Sequence, residues 1–488
     1  MAGIVSYGGY IPMLRLDRGT VFFANAWKNP ALFSVAQGER SMCNWDEDSV
    51  TMAVEASRDC IKGLDKGKVD ALYLASLSFP FQDRQNAGIV ATALNLKDAV
   101  ETADFAASMR AGASALLAGL NAVKSGECET VLVAAADKRP TKSAFFHEMW
   151  FGDGAASLLL GNKNVIAEMK GSFTVSYDFV DHFKGINQEY DYFWEERWVR
   201  DEGFGKIAVQ VVDGLLKKLK ISGADVSRFV MPCVFGREPV SVAKKFGIEK
   251  DKVADNLHKV CGETGTAHSL VMLAVALQDA KPGDKILLVA FGQGASAFLF
   301  EVTPEITKLA PRVGIKGYLA QRREEKNYLK FLTFNELVVQ ENGMRAEADW
   351  KTALSTLYRK RKMILGLVGG MCTKCKTPQF PKSDVCVNPD CGAHHTQEDH
   401  EFAEQQGKIK TWSSDLLTYC VDPPAHYGMI EFDNGGQFMC DFTDHEIGKV
   451  EVGMPVEMVF RVKNVDPARG FTRYFWKAKP LITSGQEA

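Results

Sequence analysis

No run of about 18 consecutive apolar residues occurs anywhere in the 488-residue chain, which excludes a membrane-spanning helix of ordinary length. The opening Met1-Ala-Gly-Ile-Val-Ser-Tyr7 has neither the basic start nor the apolar core of a secretory signal, so a soluble, cytoplasmic protein is expected. Net charge is small as well. The 58 Lys and Arg stand against 61 Asp and Glu, a formal net charge of −3, which argues against nucleic acid or a lipid surface as the main partner. Disulfides are not expected either: the eleven cysteines of a cytosolic-type chain are more naturally thiols or metal ligands. Cys43, Cys60 and Cys128 are scattered as buried structural thiols are, and no cysteine lies between the last two.

What the chain does have is an internal duplication. Gly152-Asp-Gly-Ala-Ala-Ser-Leu-Leu-Leu160 and Gly292-Gln-Gly-Ala-Ser-Ala-Phe-Leu-Phe300 are both glycine turns that open a small-residue, then apolar strand. Upstream of each come an apolar helix (112–123; 266–277), a turn (125–127; 282–284) and a buried strand (131–136; 286–290). Helices with no polar face need burial on both sides. The fold class expected is therefore α/β, an αβαβα sandwich with two helices held between two sheets.

Four further cysteines cluster as Cys372-Thr-Lys-Cys375 and Cys386-Val-Asn-Pro-Asp-Cys391. Two knuckles at this spacing can close a tetrahedron of thiolates around Zn2+, with no position left for substrate, so the metal would be structural. Iron, or a site that has lost its metal, is the alternative, and His394 and His395 are competing ligands. Beyond them, short alternating strands separated by Gly, Asn, Asp and Pro predict a small OB-type β-barrel. Its strands carry no basic-aromatic ladder, which argues against nucleic-acid binding. A charged, helix-prone connector precedes the knuckles, with Gln321-Arg-Arg-Glu-Glu-Lys326 and the basic Arg359-Lys-Arg-Lys362. The basic cluster is either a solvated helix face or a contact for the nucleotide end of coenzyme A. The boundaries expected are 1–315 for the sandwich, 316–366 for the helical connector, 367–405 for the zinc ribbon and 406–480 for the barrel, with a disordered tail at Ser484–Ala488.

Gly3-Ile-Val-Ser-Tyr-Gly-Gly-Tyr-Ile-Pro12, Val131-Leu-Val-Ala-Ala-Ala-Asp137, Gly152-Asp-Gly-Ala-Ala156 and Lys281-Pro-Gly-Asp-Lys-Ile-Leu-Leu-Val-Ala-Phe-Gly-Gln-Gly294 resemble hydroxymethylglutaryl-CoA synthase and the ketoacyl synthase III branch of the thiolase superfamily. The C-terminal part resembles the zinc-ribbon/OB-fold proteins that accompany acyl-CoA thiolase relatives, here fused into one chain. The resemblance implies a thiolase sandwich, acyl-CoA thioesters as substrate with coenzyme A as part of it, and a homodimer, with another thiolase-like subunit as a further partner. It also implies a nucleophilic cysteine at the start of the first buried helix, assisted by a histidine and an asparagine from the second half.

All three positions differ here. Asp104-Phe-Ala-Ala-Ser-Met-Arg-Ala-Gly112 puts Met109 at the nucleophile, with Ser108 the nearest hydroxyl. Val230-Met-Pro-Cys-Val-Phe-Gly236 puts Cys233 at the histidine, and Cys261-Gly-Glu-Thr-Gly-Thr-Ala-His268 puts Glu263 at the asparagine. Leu77 stands where the synthase has a catalytic glutamate. A thioether has no proton to lose and carries no transferable acyl group. The favoured reading is therefore aldol, retro-aldol or Claisen-type chemistry through a thioester enolate, with amides at the start of the first helix steadying the oxygen and Glu263 or a histidine as base. His182 and His268 are candidates, each with packing as the plainer role. Tyr190-Asp-Tyr-Phe-Trp194 is a candidate acyl-pocket wall. Acyl transfer through Ser108 or Cys233, and a non-catalytic partner of a separate thiolase, are the alternatives.

Overall fold

The computed structural model describes residues 2–193 and 195–481, so the expected tail disorder and Trp194 lie outside the described residues. The chain forms two compact units. Among the described residues, the first comprises the segments up to Cys43, Met52–Gly88 and Leu96–Leu337; the second comprises Asn44–Thr51, Ile89–Asn95 and the chain from Val338 on.

In the first unit nine strands share one hydrogen-bonded sheet, in the order Arg228–Val230, Lys285–Phe291, Gly294–Val302, Ala167–Ser176, Gly3–Tyr10, Gly154–Gly161, Thr130–Asp137, Ala71–Ala75, Glu101–Phe105. The duplication is visible in this order. Reading outward from the centre, each half runs through an antiparallel glycine-turn strand and its partner to a parallel neighbour. The halves meet at just two residue pairs, Gly3 with Glu168 and Ile4 with Ala167, so the two expected sheets are joined along one seam.

Strand alternation explains the layers. Ile286, Leu288 and Ala290 enter one core cluster, while Leu287, Val289 and Phe291 enter another, as side chains on opposite faces must. The first cluster also takes Ala71, Tyr73, Val131 and Val133 from the other half, together with the two apolar helices, Ala111–Ser125 and His268–Gln278. These helices are thus the middle layer. The second is buried at nearly every position; the first is less enclosed, with Asn121 exposed. They approach so closely at their starts that a Cβ on Gly112 would sit 2.5 Å from the Thr266 carbonyl oxygen. On the far face of the second half, the Val209–Leu219 and Glu238–Lys245 helices pack against the other cluster.

One local expectation changes. Arg323–Glu325 is a strand, not a helical stretch, because its backbone pairs in parallel with Leu14–Leu16 in a small three-stranded sheet. Tertiary pairing has overridden a sequence of good helix formers.

The second unit holds a three-stranded sheet around the cysteine knuckles and a five-stranded sheet, ordered Gln437–Asp441, Ala425–Phe432, Gln406–Asp415, Pro455–Asp466, Phe471–Pro480. A bridge from Phe442 to Ala478 links its two outer strands, as an OB barrel requires. The early segment Asn44–Thr51 belongs to this unit through buried charge. Arg461, fully buried, meets Glu47 at 3.2 Å and Asp444 at 2.8 Å, while Lys477 meets Asp46 at 2.8 Å.

Candidate active site

Glu263 is set by backbone before its side chain does anything. Its N–H donates to the Trp150 carbonyl at 2.7 Å and its carbonyl accepts from Gly152 N–H at 2.9 Å. Gly262 has φ +87°, and a Cβ on Gly152 would lie 1.8 Å from the Cys261 oxygen. Two glycines are therefore needed for this close approach. The carboxyl group is 4 % exposed. Burial pushes its pKa up to about 7, helped by Asp137 and Asp191 and opposed by Arg139 and His182.

Around it lies a cavity of about 80 Å³ whose lining includes Glu263, Cys233, His182, Arg139, Met109 and Ser269. One water needs roughly 10–15 Å³ by the same measure, so a short acyl fragment of about six heavy atoms fits. Trp150, Phe151, Phe204 and Phe291 are among its aromatic walls. Of the expected wall at 190–194, Phe193 lines the cavity, whereas Tyr192 is 61 % exposed.

Three of the five sequence candidates thus meet. His182 pairs in a short strand with Phe193, and its Nδ1 lies 3.0 Å from Asp181. The carboxylate orients the ring. Cys233 is 3 % exposed, and burial raises its thiol well above the ordinary range, so it is a neutral S–H rather than a thiolate.

The other two candidates are not in the lining. His268 is fully buried; its Nδ1 accepts from Thr264 N–H at 3.2 Å and its Nε2 donates to the Asn256 carbonyl at 2.9 Å. Burial drives its pKa down to about 4, which leaves a neutral ring bracing a turn. The Ser108 hydroxyl donates to the Gly292 carbonyl at 3.0 Å and accepts from Arg110 N–H at 3.3 Å. The amides expected to steady an oxyanion are also engaged: Arg110 with Ser108 Oγ, Ala111 with the Ser108 carbonyl, Gly112 with Thr266 Oγ1. The helix start is consumed by packing.

Arg139, Asp191 and Ser269 were not apparent from sequence. Arg139 has its Cζ over the Phe151 ring, 3.8 Å from the ring centre, and is bonded to Asp191 and 3.4 Å from Glu263. Ser269 is 4 % exposed, and its Oγ has no hydrogen-bond partner among the described residues. At Leu77 there is no carboxylate, and its N–H instead donates to Asp137, which also accepts from Ser76, Ser78 and Thr266 N–H. Asp137 is a clamp between loops.

In the second unit the Sγ atoms of Cys372, Cys375, Cys386 and Cys391 all lie within 4.8 Å of one another. The Cys372–Cys391 and Cys375–Cys386 separations are 3.9 and 3.5 Å. Tetrahedral zinc with bonds of about 2.3 Å needs sulfurs roughly 3.8 Å apart, so the four cysteines fit that metal. His394 and His395 are exposed and outside the cluster. In the basic cluster, Lys362 faces Asp399 at 3.7 Å and Arg361 stacks on Tyr358.

The 3-oxoacyl-[acyl-carrier-protein] synthase III C-terminal model matches residues 216–301, and the ChsH2 C-terminal OB-fold model matches 402–461. Hydroxymethylglutaryl-CoA synthase of Pyrobaculum aerophilum is 32 % identical over 314 residues, which is 63 % of this chain and 89 % of the relative. That of Pyrococcus furiosus is 30 % identical over 335 residues, 66 % and 92 % respectively. Among solved structures, HMG-CoA synthase complexed with CoA superposes with a TM-score of 0.61 at 19 % identity, covering 72 % of this chain and 94 % of that one. Synthase III of Aquifex aeolicus gives 0.54 at 21 %, covering 62 % and 100 %. The chain belongs to the hydroxymethylglutaryl-CoA synthase family of the thiolase superfamily and carries a C-terminal OB-fold domain.

Proposed function

We propose that the protein makes or breaks a carbon–carbon bond beside a coenzyme A thioester through an enolate, with Glu263 as the base and no acyl-cysteine. The observation that carries this reading is the pairing in one cavity of Met109, at the expected nucleophile position, with a buried Glu263 whose pKa is pushed up to about 7. Such a carboxyl group both accepts and returns a proton near neutrality.

In the cleavage direction the Glu263 carboxylate accepts the proton of a β-hydroxyl. The Cα–Cβ bond then breaks, its electrons forming the thioester enolate while Cβ leaves as a carbonyl, and Glu263 returns the proton to Cα. Condensation follows the same steps in reverse. The Ser269 hydroxyl, which has no hydrogen-bond partner among the described residues, is a donor available to the developing oxygen charge, and His182, its Nδ1–H given to Asp181, presents Nε2 as a further proton-transfer group. Aromatic walls keep water from the enolate.

Zn2+ at the four cysteines would be structural, since thiolates fill every position. A cytoplasmic homodimer or larger oligomer completes the proposal; among the described residues no helix is long and apolar enough to cross a membrane.

A panel of coenzyme A thioesters, β-hydroxyacyl and β-ketoacyl forms included, tests the reading with and without free coenzyme A. Cleavage of the β-hydroxy forms independent of free thiol is expected, with at least a hundredfold loss in Glu263→Gln. Strict dependence on free thiol, or radiolabelled acyl group retained on Ser108 or Cys233, refutes it. Turnover only when a separate thiolase is added would make the chain a partner subunit.

A further inference from the structure

Arg139 stands between two carboxylates. Its guanidinium bonds Asp191, reaches Glu263 only at 3.4 Å, and sits over the Phe151 ring at 3.8 Å from its centre. We propose that Asp191 is a positioning residue that holds the Arg139 guanidinium off Glu263 and so keeps Glu263 able to accept a substrate proton. The inference rests on Glu263 being the base.

Asp191 is held for this task. It immediately precedes the strand Tyr192–Phe193, which pairs with His182–Phe183, and its side chain is 11 % exposed. A guanidinium has donors enough for both carboxylates: here Nη2 takes Asp191 while Nη1 reaches Glu263 at 3.4 Å, the long end of hydrogen-bond range. The closer contact is to Asp191, and Arg139 keeps its carboxyl below the ordinary range despite burial.

The charged and titratable groups facing Glu263 are Arg139, Asp137, His182 and Asp191, with the Cys233 thiol nearby. Asp137 is fixed by four hydrogen bonds to Ser76, Leu77, Ser78 and Thr266. His182 is tied to Asp181. Arg139 is therefore the charged neighbour of Glu263 whose pairing Asp191 decides. Removing the Asp191 charge acts twice in one direction: a nearby anion that favours protonated Glu263 is lost, and the freed guanidinium turns to pair with Glu263. Both make Glu263 a weaker base.

The test is the titration of Glu263 itself, read as pH-dependent infrared difference spectra of its carboxyl stretch, with Glu263→Gln as the blank. In Asp191→Asn the midpoint is expected to move down by at least about one pH unit. The acid limb of the kcat profile should follow, kcat above pH 8 falling about three- to tenfold with KM little changed. Asp191→Ser should give the same downward shift, and Asp191→Glu should restore the wild-type midpoint. A midpoint that stays in place or rises in Asp191→Asn and Asp191→Ser overturns the proposal. If Glu263→Gln retains full activity the base assignment falls, while the midpoint still reports whether Asp191 governs Arg139.

Discussion

Replacing Glu263 by Gln should make the thiolase-like unit more stable while abolishing activity, and the gain should depend on pH in a way fixed by the burial of this one group. In the folded state its pKa is about 7, against 4.5 for an ordinary glutamate. Between those values the native chain holds a proton that the unfolded chain has released, so stability falls as pH rises. The contribution is fully present below pH 4.5 and gone once pH passes the folded value. The displacement corresponds to about 3 kcal/mol. A glutamine stays neutral throughout and leaves Arg139 paired with Asp191. The variant and wild type should therefore be similar in stability near pH 4.5 and differ by about 3 kcal/mol at pH 8. Glu148, also buried and raised to about 7, is present in both proteins and cancels. Because the chain has two units, a single unfolding midpoint mixes them. Hydrogen exchange of amides in Lys285–Phe291, read by mass spectrometry at pH 5 to 8 after correction for intrinsic rates, isolates the right one. A difference between the proteins that does not change with pH would refute the argument that burial, and not some pH-independent contact, sets the state of Glu263.

Other outcomes are equally specific. Ser269→Ala removes a buried hydroxyl lacking a partner among the described residues; it should raise stability by up to about 1 kcal/mol yet lower kcat/KM about tenfold, and a loss of both would mean the hydroxyl is structural. Asp46→Ala leaves Lys477 and Arg461 short of an anion inside the second unit, which should cost about 3–5 kcal/mol, measured as faster exchange in Pro455–Asp466. By the same logic a fragment beginning at Val338 lacks Asp46 and Glu47 and should not fold, as circular dichroism would reveal. Metal analysis should find one zinc per chain, and chelation should speed exchange at Val368–Cys372 before it touches the nine-stranded sheet.

The sandwich was legible because its signals are local and repeated. A glycine turn followed by small and then apolar residues occurs twice, and period-two alternation sends Leu287 and Leu288 into separate cores without any knowledge of the partners. The four-cysteine cluster was legible for the same reason, its members falling within 20 residues of one another. Cys233 and Glu263 could be named because departures from a familiar pattern mark positions, and His182 because it precedes an aromatic run. What could not be read is pairing across distance. Arg139 meets Asp191 and Glu263 over 52 and 124 residues, and nothing in the flanking sequence of any of the three announces the others.

His268 is the converse case. A candidate with packing as its plainer role, it has one ring nitrogen taken by the Thr264 amide four residues back and the other by a carbonyl twelve residues back. A histidine buried with both nitrogens bonded is locked neutral and braces the turn it belongs to. Glu263, five residues earlier, has the same burial but an acceptor pair answered by a single cation at 3.4 Å, and an incompletely answered charge is what leaves a carboxyl group free to exchange a proton near pH 7. The distinction between a scaffold residue and the proposed base therefore lies in how fully its polar atoms are satisfied. That is a property of the folded surroundings rather than of residue type, and it is why Ser269, an inconspicuous serine in an apolar helix, ranks above Ser108, whose helix-start position drew attention first.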